Sequence, residues 1–267
     1  MKKKLLTAAL LTVTALTLVV ATVFVTIAYM TSSTAVSNTF TVGDVKIEMF
    51  ESKVNSDGVR VDAGGNPLAE GADIVKDADG NSYHLKPGKS YIKDPTIYIN
   101  STSDDCYLFI KTRNQIAEIE DGNNVPDGAD KDADALTMRE QLLANGWVLL
   151  YETDGGEVIY CYKGSGALTS DIIATPVAVD KTPGNKTAID LFENFTVDVD
   201  ADVSRSGGAK VTITAFAIQN DGFSGAISET VGTKAFMMRL WNIVSGEFTF
   251  ENVVIPEADI QGTALNP

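Results

Sequence analysis

Apolar and polar residues alternate along most of this chain with a period near two, the signature of half-buried β-strands. Phe40-Thr-Val-Gly-Asp-Val-Lys-Ile-Glu-Met-Phe50 opens the series, and Tyr91 to Ile99 continues it. Cys106-Tyr-Leu-Phe-Ile-Lys-Thr112 is apolar on both faces, as a central strand must be. Trp147 to Tyr151 and Val158 to Tyr162 flank Asp154-Gly-Gly156 and read as a hairpin. Further strands are expected at Ile172 to Val179, Phe195 to Val199, Val211 to Ala217 and Glu247 to Val254. A helical period is expected at two places. Over 136–146, Leu136, Glu140 and Leu143 share a face and Asn145-Gly146 stops the helix; a second helix falls within 228–244, ahead of Gly246. Residues 52–82 and 117–135 are turn-rich or acidic and read as loop insertions. Strands at roughly even spacing with one or two short helices indicate an all-β, antiparallel, Ig-like sandwich.

A different pattern precedes this. Three lysines at positions 2–4 lead into 25 uncharged, mostly apolar residues, Leu5 to Tyr29, which describes an export signal long enough to span a bilayer as a helix. Thr26-Ile27-Ala28 places small residues three and one positions before a cut, so Ala28 is the expected cleavage site and Tyr29 the new N-terminus; Ser33-Thr34-Ala35 is a second candidate. Retention of the segment as a membrane anchor is the alternative. The chain thus divides into a signal at 1–28, an N-terminal segment at 29–43, a sandwich domain at 44–222 and a C-terminal extension at 223–267. The closing residues Gly262 to Pro267 carry no sorting motif or basic tail, so covalent wall anchoring is not expected.

Charge narrows the function. The chain has 21 basic and 36 acidic residues, a formal charge of −15; loss of the signal removes three lysines and brings it to −18. A polyanion would be repelled, and no basic stripe is visible, which argues against nucleic acid. Cys106 and Cys161 either pair in an oxidising compartment or are two buried thiols on separate strands. The one histidine, His84, cannot supply the paired histidines of a zinc peptidase, and no Gly-x-Ser-x-Gly motif accompanies it. Asp130, Asp132 and Asp134 alternate as at the start of a calcium loop, but Ala135 and Gln141 stand where that loop needs glycine and glutamate. Asp198, Asp200 and Asp202 repeat the spacing, with their side chains expected on one strand face. Each triplet is a weak calcium site or a solvated acidic face.

Taken together, the long signal, Asn38 to Glu48, Leu85-Lys-Pro-Gly88, Lys93-Asp94-Pro95, Asp104 to Lys111 and Val211 to Gln219 resemble the TasA/camelysin family of exported Firmicute proteins. The resemblance implies a jelly-roll sandwich, release by a SipW-like signal peptidase, and assembly with copies of itself and other matrix components into extracellular biofilm fibres. It also implies strand donation, in which the mature N-terminal segment of one subunit completes the sheet of the next. Tyr29, Val36 and Phe40 lie on that donor segment here; the alternative is an unstructured leader. Camelysin has been described as a metallopeptidase, so a secreted peptidase of that type is the competing function.

Overall fold

The computed structural model describes residues 31–33, 35–42, 45–69, 71–122, 135–221 and 227–246, with the backbone alone for 31–42. The signal and its cut at Ala28, Tyr29, the triplet Asp130, Asp132 and Asp134, and the expected strand Glu247 to Val254 all lie outside the described residues.

The protein is mostly β-sheet. Its strands are β1 (Thr31–Ser33), β2 (Ala35–Val42), β3 (Ile47–Ser52), β4 (Lys76–Asp77), β5 (Ser82–His84), β6 (Ser90–Ile92), β7 (Thr96–Asn100) and β8 (Cys106–Asn114). After helix α1 (Met138–Ala144) come β9 (Trp147–Glu152), β10 (Glu157–Tyr162), β11 (Lys186–Asp190), β12 (Asn194–Thr196), β13 (Val211–Gln219) and helix α2 (Lys234–Ser245). Five strands form one sheet in the order β2-β13-β8-β10-β9, and four form a second in the order β11-β7-β3-β4. Two small pairs, β1 with β5 and β12 with β6, complete the set. Among the described residues all strand pairings are antiparallel except that of β2 with β13.

The two larger sheets share one hydrophobic cluster. Ile47 and Met49 of β3 and Ile97 and Ile99 of β7 join Leu108 and Ile110 of β8 and Ile213 and Ala215 of β13 there. The alternate residues of β8, Tyr107 and Phe109, belong to a second cluster on the opposite face. Helix α2 covers that face, burying Phe236, Met237, Leu240, Trp241 and Val244 at helical spacing. Thr233 caps its first turn, and Gly246 ends it at φ 67°, a left-handed C-cap that favours glycine. The C-terminal extension is therefore integral to the fold through α2.

Three expectations need correction. The helix expected over 136–146 is shorter: Thr137 is its N-cap, so Leu136 lies outside it, and the face it buries is that of Met138 and Leu142, with Leu143 exposed. Its rotation is set by a capping box in which Glu140 Oε2 accepts from Thr137 N–H at 2.8 Å and Thr137 Oγ1 accepts from Glu140 N–H at 3.2 Å. Residues 172–179 make no strand. Ile173 and Ala174 both donate to Gly232 O, Thr175 to Lys163 O and Val177 to Cys106 O, while Ile172, Ala178 and Val179 donate to side chains and Pro176 has no N–H to give, so no ladder propagates. The insertion 52–82 is not wholly peripheral, because Val54, Val61 and Asn81 are buried.

Candidate functional site

The segment expected to follow the cut occupies a sheet edge. Strand β2 runs parallel to β13, with Val36 opposite Ile213 and Phe40 opposite Phe216, and its other side carries no strand among the described residues. Strand β1 pairs instead with β5, Thr31 opposite His84. The parallel pairing has a physical consequence. An N-terminal strand held in an otherwise antiparallel sheet by one neighbour depends on a single row of backbone hydrogen bonds, and the same row can be made by an identical strand from another copy.

The Leu85-Lys-Pro-Gly88 turn and the Lys93-Asp94-Pro95 corner frame β6. Gly88, at φ 70°, donates its N–H to Val197 O at 2.9 Å. Asp57, reached by the ammonium groups of Lys89 and Lys86 at 3.0 Å each, is held at about 2 by those two cations. Tyr91 donates its hydroxyl to His84 O and accepts from Lys86 N–H, both at 2.7 Å. At the corner, burial pushes Asp94 upward, but hydrogen bonds from Ser52 and Arg60 outweigh it and keep the carboxyl below its ordinary range.

Lys93 points the other way. Its Nζ lies 2.7 Å from Glu51 Oε2, and both side chains are 0 % exposed. Glu51 Oε1 accepts from Asn81 Nδ2 at 2.7 Å and from Asn81 N–H at 2.8 Å, while Asn81 Oδ1 accepts from Val54 N–H at 2.9 Å. The sequence signal for this cluster is parity. Glu51 continues the inward row Val45, Ile47, Met49, and Lys93 sits between inward-facing Tyr91 and Ile97, so each charge falls where an apolar residue belongs.

A second buried acid is Glu120, which lines an open-mouthed cavity of about 420 Å³ together with Thr112, Asn114, Met138, Tyr160 and Ile213. Asn114 Nδ2 donates to its Oε2 at 3.0 Å, and Oε1 has no partner among the described residues. Burial pushes this carboxyl up to about 7, opposed by hydrogen bonds from Met138 N–H and Asn114 and reinforced by the charge of Glu140. Because the folded value lies above the ordinary 4.5, the folded state holds the extra proton. The associated stability is fully present below about pH 4.5 and is lost as pH rises through about 7, a change of about 3 kcal/mol. In Glu120→Gln this part of the pH dependence disappears, which urea unfolding across that range would measure; an unchanged pH slope would refute the assignment.

The remaining candidates do not converge. Cys106 and Cys161 are free thiols in different clusters on opposite faces of the five-stranded sheet, so the pairing weighed from the sequence is not made. Burial pushes each up to about 12, which makes them inert. Asp198, Asp200 and Asp202 do not share a strand face: they lie in turns, where Asp198 and Asp202 accept the N–H groups of Asp200 and Ser204. Among the described residues no three His, Cys, Asp or Glu side chains cluster as a metal would require. His84 stands on β5, half-buried. Comparison with protein-family models, curated proteins and solved structures returns no match.

Proposed function

We propose that this protein is an exported, non-enzymatic structural subunit or accessory of an extracellular matrix fibre, of the TasA/camelysin type, with its two larger sheets arranged as a jelly-roll sandwich. In this reading a SipW-like peptidase cuts after Ala28, and the freed segment from Tyr29 onward moves from its own β13 to the β13 of a neighbouring subunit. The observation that carries the reading is the placement of Ala35–Val42 as a parallel edge strand on β13, next to the expected cut. Exchange conserves the backbone hydrogen bonds and replaces an intramolecular contact by an intermolecular one, so concentration selects the polymer. The acidic surface keeps the unassembled subunit soluble.

Electron microscopy of the mature chain and of a chain lacking residues 29–42 tests this. The mature chain is expected to form fibres and the truncated one to remain unassembled while binding a synthetic 29–42 peptide. Monomers alone from the mature chain across pH and salt, or equal polymerisation of the truncated chain, would sink the proposal.

A further inference from the structure

The Glu51–Asn81–Lys93 cluster has the composition and geometry of a reactive centre. One carboxylate holds an amine on one oxygen and a carboxamide on the other, each at 2.7 Å. Nucleophile and electrophile are therefore neighbours on a single group, in an interior that excludes water. Placing both groups on one carboxylate lowers the entropic cost of their meeting. The Asn81 carbonyl oxygen already accepts the Val54 N–H at 2.9 Å, a fixed donor where negative charge would develop on attack. The leaving atom, Nδ2, is the one in contact with Glu51 Oε1. Lysine, asparagine and a bridging glutamate thus stand in the roles of nucleophile, acyl donor and proton shuttle.

We propose that Lys93 and Asn81 become joined by an intramolecular amide bond, promoted by Glu51. A proton passes from Nζ to Glu51 along their hydrogen bond, and the Nζ lone pair attacks Asn81 Cγ. The carbonyl oxygen takes up the charge against Val54 N–H. The Cγ–Nδ2 bond then breaks, Nδ2 departs as ammonia with the proton that Glu51 returns, and Glu51 takes a second proton from Nζ to leave a neutral amide. Of the three protons that Nζ began with, one remains on the new amide, one leaves in ammonia and one stays on Glu51. No oxidant or cofactor is needed. The bond ties the β6–β7 corner to the residue leading into β5 and replaces a buried ion pair by a neutral link. It is independent of whether the chain polymerises.

Mass spectrometry of the intact, denatured protein tests it. The expected mass is lower than that of the sequence by one ammonia, tryptic cleavage after Lys93 is lost, and fragmentation shows the peptide containing Asn81 joined to the one containing Lys93. Glu51→Gln and Asn81→Ser are each expected to restore the full mass. Full mass in the wild-type protein, with separate peptides, would overturn the proposal. So would an ammonia loss that fragmentation places in a cyclic imide at Asn145-Gly146, with Asn81 and Lys93 unlinked.

Discussion

Lys93→Met is expected to lower the free energy of unfolding by about 3–5 kcal/mol. The reason is what it leaves behind. Glu51 would remain inside the protein with its carboxyl facing a methyl group, and among the described residues its remaining hydrogen bonds would come from Asn81. An uncompensated buried charge is far more costly than the pair it came from, because the pair had offset most of its own desolvation. Glu51→Leu combined with Lys93→Met should therefore recover much of the loss. It will not recover all of it, since Asn81 N–H then lacks its acceptor at a cost of about 1–3 kcal/mol. Urea unfolding of the two single variants and the double variant closes the cycle. If the amide link forms, the Lys93 variant also loses that ring closure, and the intact mass separates the two contributions. A single variant within about 1 kcal/mol of the parent would show that the cation does not stabilise Glu51.

Trp241→Ala is expected to cost about 3–5 kcal/mol and to loosen the whole outer face of the five-stranded sheet. Trp241 meets Phe216 edge-on at 5.0 Å and lies 6.0 Å from Phe109, so one side chain touches β13 and β8 together. Its removal leaves a void under α2 that neither ring can fill without abandoning its strand position. Beyond stability, a loosened α2 exposes Phe109, Phe216 and Ile218 as an apolar patch, which favours nonspecific association. Thermal unfolding reads the first effect and light scattering the second. A change below about 1 kcal/mol would mean that α2 is not what closes this face.

Much of the β-structure was legible along the chain. Cys106 to Thr112 shows apolar residues at both parities, and β8 lies at the centre of its sheet with a cluster on each side. The hairpin around Gly155-Gly156 and the C-terminal helix before Gly246 follow from turn and capping residues that act locally. Strand β11 was not legible, because Lys186-Thr-Ala-Ile-Asp190 has little apolar pattern and becomes a strand by pairing with β7. The opposite failure occurs at 172–179, where an apolar stretch meets Pro176 and several unrelated partners and forms no ladder.

The candidate sites divide along the same line. Alternation puts Glu51 and Lys93 on the inward parity of their strands, but beside turns where that parity need not hold, so the sequence by itself determines neither that they are buried nor that they meet. That Glu51 and Lys93 contact each other, with Asn81 on the second oxygen, is decided only when β3, the β6–β7 corner and the start of β5 come together. Glu120 is likewise an ordinary acid in a turn-rich stretch until β8, α1 and β10 close around it. Period, turn chemistry and caps are properties of neighbouring residues, and the chain carries them wherever it goes. Partnership between residues 30 or 42 positions apart belongs to the packed interior, where a charge must find its counterion or the fold does not form.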